Sequence, residues 1–345
     1  MTTVKPAGPR VVGAYAQTAV DTALDAGLPR ERVAALLDVP TSQLQPLPEA
    51  IPVAAYLRLL DGAAKELNDD CFGLHVGERM RLATFAVYGM VLMACRTFGE
   101  ALEQVIRFES LAHDLGRSRI HIEGDRARYE WHSPYLAEAS RHLPESVFAG
   151  IVETANWMAR RELPAQEIAL TGTTPPKEGE YHRILKAPLR FGAAVPYAYF
   201  DAAILSMPMP NADTSLFPVL TKHAETLLAE RARELSEPPI LGTVRQQIAG
   251  LLTRDGANLA AVADALAMSP RTLQRRLTDA GTTFQQLLDA TRRELAAGYL
   301  ERADLSLTDI AFLLGFSEQS SFSHAFRDWY GQSPANYRAA QHTRH

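Results

Sequence analysis

Cysteine is close to absent from this chain: Cys71 and Cys95 are the two it has. That excludes a disulfide framework, and no Cys-x-x-Cys or Cys/His spacing accompanies them, so both are expected to be small buried hydrophobes. Long apolar runs are missing too. No window of about 18 uninterrupted apolar residues is present to span a bilayer, and the opening MTTVKPAGPR lacks the apolar stretch of a signal peptide. A cytoplasmic protein without a membrane partner is expected. Catalytic signatures are equally scarce: there is no Gly-x-Ser-x-Gly elbow, no metal-spaced pair of histidines and no Gly-rich phosphate loop. His75, His182 and the pair His113-Asp114 are the obvious polar candidates, and a lone histidine among apolar residues is more often hydrogen-bonded structure than a ligand. The expectation is no enzyme, no cofactor and no metal.

Positive charge is also short. The net charge of −5 argues against a nucleic-acid partner, because phosphates attract basic surfaces. Its distribution changes the argument. Residues 240 to 345 hold eleven Arg and no Lys against ten Asp or Glu, a net of +1, which leaves −6 for residues 1 to 239. Any contact with DNA must therefore depend on where those arginines point.

What is present is enough chain for two domains, since single cores stop growing well before 345 residues. A boundary is visible in ELSEPPILG: Pro238 and Pro239 lack backbone donors, so the helix suggested by LTKHAETLLAERARE should stop before them. We place a first domain at 1–235 and a second at 236–345. Before the boundary both periodicities occur. VVGAYAQTAVDTALDAG, IPVAAYLRLLDGAAKEL and YGMVLMACRTFGEALEQVIRFESLAH are helix-like, whereas RIHIEGDRARYEWH alternates and predicts a hairpin turning at Gly124-Asp125. Ile120, Ile122, Ala127, Tyr129 and Trp131 would share one face. Shorter strands are expected at EIALTG, LRFGA and YAYFD, making this an α+β domain. Phe85, Tyr88, Met90, Met93 and Phe108 are expected in its core, and an apolar ligand would need residues like these.

The second domain reads as all-α and contains an internal repeat. Leu259, Val262, Ala263, Leu266 and Met268 recur 48 residues on as Leu307, Ile310, Ala311, Leu314 and Phe316. After one inserted residue, Leu273 and Leu277 recur as Phe322 and Phe326. Each copy predicts a helix, a tight turn and a second helix, a helix-turn-helix, at about 259–279 and about 307–328. A longer helix at about 284–301 joins them. Asn258, Ser269 before Pro270, Ser306 with Asp309, and Ser317 are the expected N-caps, and Gly315 suits the turn.

Burying Leu273 and Leu277 leaves Arg271, Gln274, Arg275 and Thr278 as an outward stripe. Arg can bond guanine and Gln adenine in bidentate fashion in the major groove. The second copy offers Gln319, Ser320, Ser323, His324 and Arg327, shorter groups suited more to phosphates. A polar stripe on an amphipathic helix is usually a solvated face; two such stripes on one scaffold could enter major-groove segments about 34 Å apart.

Over roughly 100 residues this region resembles the DNA-binding domain of the AraC/XylS transcription regulators, by Gly315-Phe316, Ser321-Phe322, Phe326-Arg327, Gly331, Ser333-Pro334 and Tyr337-Arg338. In the first copy, SPRTLQRRL, Gly281, Phe284 and Arg292-Arg293 stand at the family's places. The resemblance implies double-stranded DNA and RNA polymerase as partners. It puts base-reading positions on Arg271, Gln274 and Arg275, and on Gln319, Ser320, Ser321, Ser323 and His324. His324 stands where the family commonly has Arg or Lys, and Asp328 where a basic residue is frequent, so a weaker second copy is expected. The first domain resembles the arabinose-binding-like sensor of regulators of the ornithine-utilisation type. That implies a small-molecule effector and allows a homodimer; of the apolar residues named above, Tyr88 and Phe108 are the candidate contacts. The expected function is a transcription regulator, an activator, under effector control. Two alternatives stay open: a first domain that is a ligand-free dimerisation or partner module, or one that is a fused enzyme.

Overall fold

The computed structural model describes residues 8–136, 141–175, 177–210, 212–236, 238–252, 257–302 and 304–342. They form two compact units that divide between Arg231 and Ala232. Among the described residues no helix is long and apolar enough to cross a membrane.

In the first unit five strands lie side by side in the order Arg117–Glu123, Arg126–His132, Tyr197–Asp201, Glu167–Ala169 and Leu189–Arg190. All pairings are antiparallel except the last. The hairpin pairs Ser118 with Trp131, Ile120 with Tyr129 and Ile122 with Ala127. Its two-residue turn is Gly124-Asp125, with Gly124 at a φ of +63° that suits a residue without a Cβ. Ala127, Tyr129 and Trp131 are buried, as their alternation requires. Ile122 is 59% exposed, because it sits on the edge strand beside the turn. A further strand pair, Arg10–Val12 with Ala50–Pro52, leads directly into the helices Gly13–Asp25 and Val53–Leu67. The sequence pattern of those segments had shown only the helices.

The unit also holds helices Arg30–Leu37, Phe72–Glu78, Ala86–Met93, Phe98–Phe108, His142–Ala159 and Glu178–Leu185; of these, Phe72–Glu78 and His142–Ala159 pack most closely, backbone to backbone. A Cβ at Gly73 would stand 2.3 Å from the His142 carbonyl oxygen, and one at Gly77 2.5 Å from that of Ser146. Tyr15, Tyr56, Phe72, Phe108, Trp131 and Phe148 are fully buried. Cys71 and Cys95 are free and buried, and burial pushes their thiols up to about 11 and about 12. Met90 and Met93 depart from expectation: they are exposed, at 55% and 49%. Helix Ala86–Met93 is apolar all round, so its periodicity did not reveal which face turns outward.

Helix Phe217–Ser236 ends before Pro238, and helix Pro239–Leu251 opens the second unit's helices with proline in its first turn. Helices Leu259–Ala265 and Pro270–Asp279 form the first helix-turn-helix, and Leu307–Leu313 and Gln319–Tyr330 the second. Helix Phe284–Glu301 joins them; its 18 residues make it about 27 Å long. It belongs to two cores. Leu287 and Leu288 pack with Val244, Ile248, Val262, Leu273 and Leu277, while Ala296 and Leu300 pack with Ile310, Leu314, Phe322 and Phe326. Helix Pro334–His342 closes the second core through Tyr337.

Asn258, Ser269 and Ser306 cap as their sequence positions indicate, each accepting from the backbone N–H three residues on, and Ser306 with Asp309 forms a capping box. Ser317 does not cap. Helix Gln319–Tyr330 starts one residue later, with Glu318 as its N-cap and no side-chain cap bond. Gly315 has φ +70°, and a Cβ there would lie 3.0 Å from the Leu252 carbonyl oxygen. The equivalent residue of the first copy is Ala267, which takes φ +53° without being glycine.

Candidate functional site

Helix Pro270–Asp279 buries Leu273 and Leu277 completely and leaves Arg271, Gln274, Arg275 and Thr278 exposed. The side chains of Arg271, Gln274 and Arg275 make no hydrogen bond or ion pair among the described residues, so their donors and acceptors face solvent. Thr278 is partly used, donating to the Gln274 carbonyl at 3.0 Å. Arg276, one step round the helix, is also exposed and adds a cation that the sequence stripe omitted.

The second recognition helix, Gln319–Tyr330, presents a different surface. Gln319, Ser320, Ser321, His324 and Arg327 are exposed, whereas Ser323 is half-buried. Two of these are already engaged: Gln319 Oε1 accepts from Thr308 Oγ1 at 2.8 Å, and Ser320 Oγ donates to Glu318 Oε2 at 3.0 Å. Reading a base with either would mean exchanging an existing bond.

Several arginines of this unit hold the fold instead. Arg292 on the connecting helix donates from Nε to the Leu314 carbonyl at 2.9 Å and from Nη2 to that of Gly315 at 3.0 Å, and its guanidinium lies 4.5 Å from the Phe316 ring centroid. These are carbonyls that the end of helix Leu307–Leu313 leaves without helical partners. Burial lowers the Arg292 pKa from its ordinary value. Arg293 lies over the Tyr330 ring, whose hydroxyl donates to the Arg293 carbonyl at 3.0 Å. Arg338 Nε donates to the Leu300 carbonyl at 3.3 Å. A net charge of +1 thus conceals a division between arginines tied to carbonyls and arginines facing water.

The first unit holds a cavity of about 210 Å³ between its sheet and the helices Ala86–Met93, Phe98–Phe108 and His142–Ala159. Tyr88 lines it. Phe108, the other expected contact, is fully buried but is not part of the wall. The polar groups in the wall include Glu109, His113, Ser118 and Thr154, none of them named as effector contacts from sequence. They come from a helical turn, a loop, a strand and a helix, so no local motif marks them. Burial pushes the Glu109 carboxyl above its ordinary range, while the Ser118 hydroxyl and backbone N–H hold it down. Burial pushes His113 down to about 3, leaving its imidazole neutral. The other histidines considered from sequence have partners: His75 meets Asp69 at 2.7 Å and Glu180 at 3.1 Å, and His182 lies 3.6 Å from Glu178.

Comparison with known proteins agrees with this architecture. Residues 27–209 match the arabinose-binding domain of AraC transcription regulators, and residues 262–340 match a helix-turn-helix domain. The ornithine utilization regulator of Pseudomonas aeruginosa is 26% identical over 333 residues, covering 95% of this chain and 96% of that protein. The HTH-type transcriptional regulator VirS of Mycobacterium tuberculosis is 28% identical over 291 residues, covering 83% and 84%. Among solved structures, the transcriptional regulator CdpR from Pseudomonas aeruginosa is 22% identical over 90% of this chain and 96% of that chain, with a TM-score of 0.40. The chain belongs to the AraC family of DNA-binding transcription regulators, with an arabinose-binding-type N-terminal domain ahead of its helix-turn-helix domain.

Proposed function

We propose that this regulator is an effector-controlled activator that works in the cytoplasm, reads double-stranded DNA with both recognition helices and engages RNA polymerase. The observation that supports the DNA reading best is the pair of outward polar helices on one connecting helix, with Arg271, Gln274 and Arg275 unengaged. The first helix reads base edges. The second contributes chiefly phosphate contacts through Arg327, His324 and the serines.

The effector occupies the cavity of the first unit and acts by binding two conformations of that unit unequally, which is the only way a ligand shifts a population. A route outward exists in the same unit. His113 lines the cavity, and the adjacent Asp114 accepts from the Arg10 backbone N–H at 2.9 Å and pairs with Arg231 on the helix that leaves the unit. Pairing of two copies would match two half-sites.

The test is binding of the full-length protein to DNA from its own upstream region against scrambled DNA across a salt series, with a footprint at the tightest condition. Protection of about two helical turns per chain, with preference surviving salt, is expected. Salt-sensitive binding without preference, with and without a bound cavity ligand, would overturn base reading by the two helices.

A further inference from the structure

One ionisable group in the cavity wall has no counter-ion among the described residues. Glu109 is 3% exposed and has no ion pair among the described residues. Arg117, whose charge acts on it, is turned to Asp114 Oδ1 at 3.2 Å and to the carbonyls of His113 and Gly116. The hydrogen bonds of the Glu109 carboxyl come from Ser118 alone: the backbone N–H donates to Oε1 and the hydroxyl to Oε2, each at 2.7 Å. Since the single Ser118 hydroxyl hydrogen is used there, Tyr129 must donate to Ser118 Oγ across their 2.7 Å contact. Each carboxylate oxygen accepts about two bonds, so one position on each stays open. A buried carboxylate in this state either takes up a proton or binds a cation.

The surroundings favour a cation. Tyr15, Phe85, Tyr88, Tyr129, Trp131 and Phe148 line the same space, with Phe85 and Tyr88 centroids 5.3 Å apart and Tyr15 and Phe85 6.2 Å apart. Aromatic faces attract ammonium groups, most strongly where water is excluded. No lysine or arginine is among the lining residues, so a carboxylate or phosphate ligand would meet Glu109 without a counter-charge. His113 Nδ1 and Thr154 Oγ1, on two lining residues, lack hydrogen-bond partners. The lining is mainly aliphatic and aromatic carbon, a poor match for a sugar, whose many hydroxyls each need a partner.

We propose that the cavity binds a small primary amine with an apolar or aromatic body, its ammonium against Glu109 and its body among Leu92, Leu102, Val105 and Ile151. This rests on reading the cavity as the effector site. Scaling from a 150 Å³ cavity that holds benzene, 210 Å³ takes a ligand of about eight to ten non-hydrogen atoms.

The experiment is calorimetric titration of the full-length protein with three probes of nearly equal size: 2-phenylethylamine, 2-phenylethanol and phenylacetate. The amine should bind about ten- to a hundredfold tighter than the alcohol, the value of a hydrogen bond to a buried charged group, and the carboxylate should bind weakest. In Glu109→Gln the preference of amine over alcohol should collapse towards one; a preference that persists in the folded variant would remove Glu109 as the seat. Should that variant not fold, the wild-type order still decides. Alcohol binding as tightly as amine, or carboxylate binding tightest, overturns the amine assignment and leaves the cavity a ligand site. Binding of none of the three overturns the assignment and counts equally against the effector reading of the cavity.

Discussion

The two helix-turn-helix copies share a pattern but differ in what fills it. The first is aliphatic inside, with Val262, Leu273 and Leu277, and charged outside, with Arg271, Arg275 and Arg276. The second is aromatic inside, where Phe326 stacks on Tyr330 at 4.6 Å and packs against Phe322 and Tyr337, and its outer face is built of serines, His324 and Arg327. Arg292 of the connecting helix also turns inward to the second copy, onto the carbonyls of its turn. The lesson is that a repeated fold can be held by different chemistry in each copy, which is the basis of the proposed division between a reader and an anchor.

The largest effect should come from breaking the aromatic core. Phe326→Ala is expected to cost about 3–5 kcal/mol, read from the denaturant midpoint, because a fully buried ring leaves a cavity that its neighbours cannot fill. The matching Leu277→Ala should cost about 2–5 kcal/mol, in its own half of the unit. If Phe326→Ala costs less than Leu277→Ala, the second copy is not anchored by its rings. Next comes Arg292→Ala, which removes two charged hydrogen bonds to carbonyls and should cost about 1.5–3 kcal/mol. Arg292→Lys sharpens this, since it keeps the charge and loses the planar fork; full rescue by lysine would show that charge alone mattered.

The smallest change in free energy is the one most informative about reading. Arg275→Ala should lose about 1–3 kcal/mol of binding at one base position and relax the preference there, whereas Arg327→Ala should weaken all sequences alike and reduce the salt slope by about one. These differences appear in binding isotherms on substituted operators at fixed salt. Equal, sequence-independent losses for the two variants would erase the proposed division between reader and anchor.

Much of this second unit was legible in the residues. A repeat of apolar positions 48 apart, proline after Ser269 and the Ser306 and Asp309 pair are local signals, and local hydrogen bonding makes them dependable. The misplacement of Ser317 as a cap has the same origin: Ser317 and Glu318 are adjacent, and a cap can shift by one residue at no cost in pattern. The role of Arg292 was hidden because its partners, Leu314 and Gly315, lie 22 and 23 residues away. In the first unit the hairpin register followed from alternation and from Gly124-Asp125, but the exposure of Met90 and Met93 did not, since an apolar helix has no face written into its spacing.

What the sequence determined by itself is whatever depends on neighbours along the chain: helix starts and turns, the alternation of the hairpin, the outward stripe of Arg271, Gln274 and Arg275, and the family. Tertiary structure alone decided which polar side chains find partners far along the chain and which buried ones go without. Glu109 reaches Ser118 across nine residues and two elements, and its want of a cation is a property of the space around it. Burial raises the energy of an unpaired charge, and burial is set by the packing of distant segments.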